Sequence, residues 1–531
     1  MKPIFKTVAV LSILALLTRA MGFVFKVYLS RQLGAVNIGI YQVAISVFFV
    51  LATSTSSGIP LVVGKLTAKY KANHKQDLAR DLEGKTVSAG IVVGLAITIV
   101  ICLVFITGGK YIKQAFASPE SFVCLMLLLP ALIASTISNS IRGALWGRGM
   151  YKISSVLEII EQGLRIGLCV LLFGIGTNKL MITAWTFSLA CCLTAAICFI
   201  YYYLNKGRLK NPKGHIVPLL KDSIPITLSK ISSSIVNMLI SLCIPFLFVL
   251  QGTSQEEALS LLGISIGMAF PLLFTPITFV GSLAYTMLPD ITALYAIKSS
   301  DTHKRIENGI SISIVIACAF MPIFLALGSD IGILFFDNIE SGKFITYSSW
   351  ILIPLAIECI VSSMMNALEM EFKGLLSFIA GSGLMFGICF VFIGKFNLQV
   401  FSVAFGLSLT LSSIIDLILM KKRINLNFSF LPALIQCVLS IIPAFIVTHN
   451  LYSVLKTSFA SLALQSTLHN TIFTILNIGI ASLVSIGFYL LTLYLLDFAG
   501  VFGVLKNNKK ISRKQEKHNK LENQEKIIAT Q

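Results

Sequence analysis

A chain of 531 residues that is 56% hydrophobic, 12% charged and +0.87 in mean hydropathy lies outside the range of soluble globular domains and reads as an integral membrane protein. The formal net charge of +19 does not point to nucleic acid, because the basic residues recur in alternate loops rather than in one domain or one aromatic-interleaved patch. Eleven cysteines, all in apolar runs and without metal-ligand spacing, argue against a disulfide framework and a metal centre.

A helix crossing some 30 Å of hydrocarbon needs about 20 apolar residues, and such windows fit about fourteen times. They centre near Leu16, Phe49, Leu95, Leu129, Ile166, Cys191, Leu239, Phe274, Ile316, Leu355, Phe386, Leu409, Ile441 and Val484. With the N-terminus inside, 31 of the 42 Lys and Arg residues fall in alternate segments such as Lys65 to Lys85, Arg142 to Lys152, Lys206 to Lys221 and Lys506 to Lys526. The opposite loops hold only Lys110, Lys113, Lys179, Lys343, Lys395 and Lys456. This is the asymmetry of a multi-pass protein with both termini cytoplasmic. The first apolar run is interrupted by Arg19 and has no small-residue cleavage pattern, so it is expected to remain in the mature protein.

In the first span Arg19 and Lys26 lie seven residues apart, on one helical face with Gly22, Phe23 and Ser30. One such charge at the bilayer centre costs roughly 3 kcal/mol on insertion scales and above 10 in simulations, so intramembrane cations normally face a wet interior and mark a pathway. The stripe suits a polar, anionic cargo. The alternative is a structural role, each cation paired with an acid on a neighbouring helix. The second span carries Gln42, Ser46, Thr53 and Ser57 and leads to Gly58 and Pro60, which supplies a bend. In the fifth span Glu158, Glu161, Gln162 and Arg165 share one side, Glu161 and Arg165 at i, i+4; a paired acid and base favour a structural or gating network over cargo contact.

Residues 205–222, with Gly207, Pro212, Gly214 and Pro218 among five basic residues, read as a cytoplasmic linker. Beyond it the seventh span places Lys230, Ser234, Asn237 and Ser241 on one face, where cargo contact by Lys230 and Asn237 competes with helix packing. The eighth carries Pro271 and Pro276 among Thr275, Thr278, Ser282 and Thr286 and, with the second, is the expected moving helix. Glu358 is the deepest acid of the C-terminal half and a candidate proton or cation site; Asn366, Glu369 and Asp416 are further polar positions.

A short internal match, SSGIPLVVGKLTAKY against YTMLPDITALYA, aligns Pro60 with Pro289. It suggests an N-terminal lobe of six spans (1–204), the linker (205–222), a C-terminal lobe of six spans (223–425), two extra spans (426–500) and a basic cytoplasmic tail (501–531). Parallel repeats of this kind place a central cavity between all-α lobes. No phosphate-binding Gly loop, metal cluster or sizeable outer loop is visible, so the chain reads as a transporter without cofactor rather than an enzyme, driven by ion gradients or membrane potential.

The opening TRAMGFVFKVYLSRQLGAVNIGIYQVAISVFFVLATSTSSGIP, with SIRGALWGRGMYKISSVLEIIEQGLRI, SIPITLSKISSSIVNMLISLCIP and EEALSLLGISIGMAFPLLFTPITFVGSLAYTMLPDIT, resembles the polysaccharide-exporter branch of the multidrug/oligosaccharidyl-lipid/polysaccharide (MOP) superfamily. Within it the chain is most similar to the stage V sporulation protein B group, related to the lipid II flippase MurJ. The resemblance implies a two-lobed bundle of the bacterial cytoplasmic membrane, opening alternately to either side. It implies as cargo an undecaprenyl-pyrophosphate-linked saccharide, either a peptidoglycan precursor or a polysaccharide repeat unit, with Arg19 and Lys26 at the positions that meet the anion. Glu358 belongs to no motif of the family. Membrane lipids and cell-wall synthesis enzymes are the expected partners of a monomer that binds no nucleic acid. Two alternatives stay open. A multidrug or cation antiporter of the same superfamily would need acids where Arg19, Lys26 and Lys230 stand. A membrane glycosyltransferase or ligase would need a catalytic outer loop, and those loops offer little beyond Asp330, Asp337 and Glu340.

Overall fold

The computed structural model describes residues 2–496 apart from 74, 117, 300, 429 and 461–466. The predicted basic tail, 501–531, lies outside the described residues, which contain helices and no strand. In chain order the helices are α1 (Lys2–Ser56), α2 (Ile59–Asn73), α3 (Gln76–Thr107), α4 (Gly109–Ile112), α5 (Pro119–Gly147), α6 (Tyr151–Phe173), α7 (Lys179–Leu204), α8 (Ile216–Leu250), α9 (Gln255–Leu262), α10 (Phe270–Leu273), α11 (Ile277–Ala296), α12 (Thr302–Phe336), α13 (Ile339–Ser348), α14 (Leu352–Ala367), α15 (Glu371–Ile424), α16 (Phe430–Ala460) and α17 (Thr467–Leu495). Apolar sequence in a medium without water permits little else, because every backbone N–H and C=O must be paired within its own segment. Starts are capped where polar residues allow it. Ser118, Asn178, Ser254 and Asn338 accept from the backbone N–H of Glu120, Met181, Glu257 and Ser341 at 3.1, 3.2, 3.2 and 2.8 Å.

Among the described residues 13 helical stretches are long and apolar enough to cross a membrane, and the chain is a multi-pass membrane protein. Their relation to the predicted spans is physical. The first stretch holds two legs, because α1 folds at Gly34 (φ 73°, ψ 173°), a left-handed conformation that glycine adopts without strain. The predicted fifth span, α6, carries Lys152, Glu158, Glu161 and Arg165 and is too charged to count by composition. The predicted eighth appears as two pieces, Gln255–Leu273 and Ile277–Ala296. Between α9 and α10 the chain winds as a π-helix over Gly263–Ala269, and residues 274–276 then interrupt it before α11. Pro271 is the second residue of α10 and Pro276 precedes α11, so both flank this interruption. A proline ring removes a donor and favours such local rewinding.

The chain forms two compact units, Met1–Met268 and Ala269–Gln531. In the first, α5 packs on α7, α2, α1 and α3, while α8 and α9 pack on α1. A core of Val62, Val63, Val87, Ile141, Leu145 and Tyr202 lies where α2, α3, α5 and α7 meet. The segment after α7 is tied down rather than free: Lys210 N–H donates to Ser88 Oγ (3.1 Å), Gly207 packs on the Tyr202 ring, and α8 already begins at Ile216. In the second unit α12 packs on α11, α13, α14, α16 and α17, and Phe270, Phe274, Phe344, Phe401 and Phe405 stack in one cluster.

Two features of the first unit escape a reading by charge. Arg148 donates from Nε to both Glu83 oxygens (3.1 and 3.0 Å), from Nη2 to Glu83 Oε1 (2.6 Å) and from Nη1 to the Asn205 carbonyl (2.9 Å), binding α3, the end of α5 and the segment after α7. Secondly, α1 and α9 cross at backbone contact. A Cβ on Gly39 would strike the Leu259 carbonyl and one on Gly263 the Ala35 carbonyl, the close approach that small residues permit between membrane helices. Gly39→Ala should therefore lower stability by about 1–3 kcal/mol, the usual range for overpacking. Thermal melting of the purified protein checks this; an unchanged midpoint would show that the crossing gives way freely.

Candidate functional site

On the first leg of α1, at 100° per residue, Arg19 and Lys26 stand at the border between a buried stripe through Phe25 and Leu29 and the exposed apolar side chains of Leu16 and Val24. Both are exposed at the protein surface. Among the described residues no acid pairs with either. The other predicted members of the stripe are occupied otherwise: Ser30 is buried and donates to the Val27 carbonyl (2.8 Å), and Gly22 faces Gln162 of α6.

On α6, Glu161 accepts from Arg165 Nη2 at Oε1 (3.1 Å), as the i, i+4 spacing anticipated. Its other oxygen, Oε2, accepts from Arg142 Nη2 (3.1 Å), and Arg142 Nη1 stands 3.8 Å from Glu158 Oε1. Arg142 corrects the sequence analysis, which placed it in a cytoplasmic loop; it lies inside α5 with a side chain only 11% exposed. Its surroundings, Ser140 to Leu145, are apolar or small apart from Ser140, and that is the signal that could have placed it in the bundle. The Arg165 guanidinium also sits 3.9 Å over the Phe187 ring. Two acids and two guanidiniums make this network neutral in sum. Arg142 Nε, Arg165 Nε and Gln162 Oε1 stay buried without a hydrogen-bond partner among the described residues.

Lys230 is not joined to Arg19 or Lys26 by any hydrogen bond among the described residues. Its ammonium donates to the Ser57 carbonyl (3.3 Å) at the end of α1, where a cation also meets the negative end of the helix dipole. Around it, Gly58 N–H donates to Thr227 Oγ1 (3.2 Å), the Thr53 and Ser234 hydroxyls lie 3.2 Å apart, and a Cβ on Gly58 would strike the Ser223 carbonyl. Ser223, Thr227, Lys230 and Ser234 thus line one face of α8 against the break between α1 and α2. Asn237 extends that face but is exposed and donates to the Ser233 carbonyl of its own helix (3.1 Å). Pro60 is the second residue of α2 and does not bend a continuous helix. A Cβ on Gly143 of α5 would come within 2.6 Å of the Pro60 carbonyl oxygen, so the two backbones are in contact.

In the second unit Glu358 of α14 accepts from Ser413 Oγ of α15 (2.8 Å). Asp416, one turn on and 1% exposed, has both carboxylate oxygens buried without a hydrogen bond, while its neighbour Ser377 donates to the Lys373 carbonyl (3.0 Å). Half-buried Glu358 and buried Asp416 therefore share one place with hydroxyls and no cation among the described residues. No group of three or more His, Cys, Asp or Glu side chains is arranged to hold a metal ion among those residues.

A protein-family model described as polysaccharide biosynthesis protein matches residues 4–286. The chain is 21% identical over 412 residues to stage V sporulation protein B of Bacillus subtilis (strain 168), covering 74% of this chain and 78% of that protein. Among solved structures, the lipid II flippase MurJ in an inward closed conformation matches with TM-score 0.65 and 13% identity over 90% of this chain and 97% of that one. An inward-facing multidrug resistance MATE family transporter of the MOP superfamily matches with TM-score 0.66 and 14% identity over 77% and 94%. At these identities the structural likeness establishes the fold.

Proposed function

The chain belongs to the polysaccharide biosynthesis protein family, and from that membership we propose that it is a flippase for an undecaprenyl-pyrophosphate-linked saccharide, carrying it from the inner to the outer leaflet of the bacterial cytoplasmic membrane by alternating access. The observation that carries the proposal is a contrast in charge. Arg142 and Arg165 are matched by Glu158 and Glu161, whereas Arg19 and Lys26 have no acidic partner among the described residues. An unpaired intramembrane cation needs an anion to offset its desolvation. A pyrophosphate supplies that anion, and a guanidinium grips it in two places.

The resting network around Glu161 is then structural or gating, and Lys230 and Asn237 belong to the face of α8 that meets the break at Ser57 and Gly58. Pro60, Pro271 and Pro276 mark where helices rewind as the site changes sides. Glu358, with Asp416, is the proposed place where a proton or monovalent cation couples to transport, since a buried carboxylate without a counter-ion, as Asp416 is among the described residues, must take up one or the other. No cofactor is needed, and Arg19 and Lys26, without an acidic partner among the described residues, favour an anionic cargo over a multidrug or cation antiporter, while a glycosyltransferase or ligase would need a catalytic outer loop. The lobes proposed are residues 1–204 and 223–425, with 426–500 as two added spans. The working protein is proposed as a monomer, with cell-wall synthesis enzymes as candidate partners.

The direct test is complementation of a bacterium depleted of its own lipid II flippase; rescue supports a peptidoglycan-precursor cargo, and failure with a well-accumulated protein removes that cargo and leaves the polysaccharide repeat unit. Orientation is tested separately, with both termini proposed as cytoplasmic. In a background without native cysteines, Lys71→Cys should be protected from an impermeant reagent added outside and Ser254→Cys should react. Outside labelling at position 71 would reverse the topology.

A further inference from the structure

The second unit contains a cavity of about 460 Å³ whose walls include Tyr295, Lys298, Thr302, His303, Arg423 and Asn427 and, among the described residues, no carboxylate. Three elements meet there. The stretches long and apolar enough to cross a membrane end at Ala296 and Ile424 and begin again at Thr302, so the cavity opens where helices leave the apolar layer. Lys298 and Asn425 adopt left-handed conformations (φ 52° for both) that turn the chain around its rim.

The walls are held in place by contacts that do not involve the cavity-facing cations. Glu307, 2% exposed on α12, accepts from Asn427 N–H (2.6 Å) and Phe428 N–H (3.0 Å) and fixes the segment after α15 against α12. Nearby cations outside the cavity are engaged: Arg305 pairs with Asp290 (3.2 Å) and the Lys421 ammonium lies 5.0 Å from the Phe428 ring centroid. Inside the cavity the Arg423 guanidinium lies 5.6 Å over the Tyr295 ring, which orients it, and among the described residues no acid neutralises Arg423 or Lys298. The result is a walled, cation-bearing pocket with imidazole and amide donors at the boundary of the bilayer.

We propose that this pocket binds the phosphate of an anionic membrane-lipid headgroup, held by Arg423 and Lys298 with His303 and the Asn427 side chain as further donors. Basic pockets between helices at a membrane surface recognise headgroups in this way, by charge and by charge-assisted hydrogen bonds. The site is separate from Arg19 and Lys26 and does not rest on the nature of the transported cargo.

The test uses the purified full-length protein in neutral detergent, titrated with short-chain phosphatidylglycerol, short-chain phosphatidylcholine or inorganic phosphate. Phosphatidylglycerol should bind at least about tenfold more tightly than phosphatidylcholine, and Lys298→Gln combined with Arg423→Gln should remove at least about tenfold of that affinity, given the pull of each basic residue near an anionic surface. Each single substitution, at an exposed position, should show part of the loss and serves if the double variant does not accumulate. Inorganic phosphate that competes at equal or better affinity, and loses its hold in the same variants, would overturn the lipid assignment in favour of a soluble phosphate compound. Wild-type affinity for phosphatidylglycerol in the variants, or equal binding of phosphatidylcholine, would overturn the site.

Discussion

Arg19→Ala combined with Lys26→Ala should abolish transport while the protein still inserts and accumulates. The proposed contacts are charge-assisted hydrogen bonds to a pyrophosphate, each contributing about 1.5–3 kcal/mol, so the pair accounts for about a hundredfold or more in the rate of flipping. Because neither side chain is paired with an acid among the described residues, their removal strands no partner and the fold should survive. Arg19→Lys should keep part of the activity, since it retains the charge but loses the planar fork. The measurements are growth of a flippase-depleted strain and accessibility of lipid-linked precursor at the outer face. Normal complementation by the double variant would move both residues to a structural role.

Glu161→Ala should be the most damaging change to stability, costing about 3–5 kcal/mol, because it leaves two buried guanidiniums without their shared acid. Adding Arg165→Ala should recover only part of that loss. Arg142, 11% exposed, would still stand 3.8 Å from Glu158 as its sole remaining acid. A further Arg142→Met change should recover more, and the melting midpoints of the singles, doubles and triple give the interaction terms directly. Additive losses throughout would show that these residues do not act as one network.

Much of the architecture was legible because length and hydropathy are local signals. The runs around Leu16 and Phe49 announce two legs, and Gly34 between them is a residue that can turn the chain. What is decided by tertiary contact was hidden. Arg142 groups by charge with Arg148 and Lys152 in one basic segment, and only the approach of α5 to α6 reveals its acid partners. Glu83 and Arg148 are 65 residues apart, and their bond lies in a stretch that charge alone marks as solvent-exposed loop. The company of Glu358 with Asp416 on α15 could not be read from the sequence, since the two acids stand on separate helices, 58 residues apart, and Ser413 bonds Glu358 alone. The prolines at 271 and 276 announced an irregularity, while its form, a π-helix before an open turn, depends on packing that no spacing encodes.

Beside one hydroxyl contact between Thr53 and Ser234, the attachment of α8 to the end of α1 is made to main-chain atoms, the Ser57 carbonyl and the Gly58 amide. Separation of these helices would expose two backbone groups that no rotamer can hide. In hydrocarbon each unsatisfied group costs several kcal/mol, while in water the cost nearly vanishes. Parting here is therefore inexpensive only if water arrives as the helices leave, so wetting becomes part of the reaction coordinate. Dehydrating conditions, such as high osmolyte, should then slow that step selectively, and a hydrated crevice at this junction would be its intermediate.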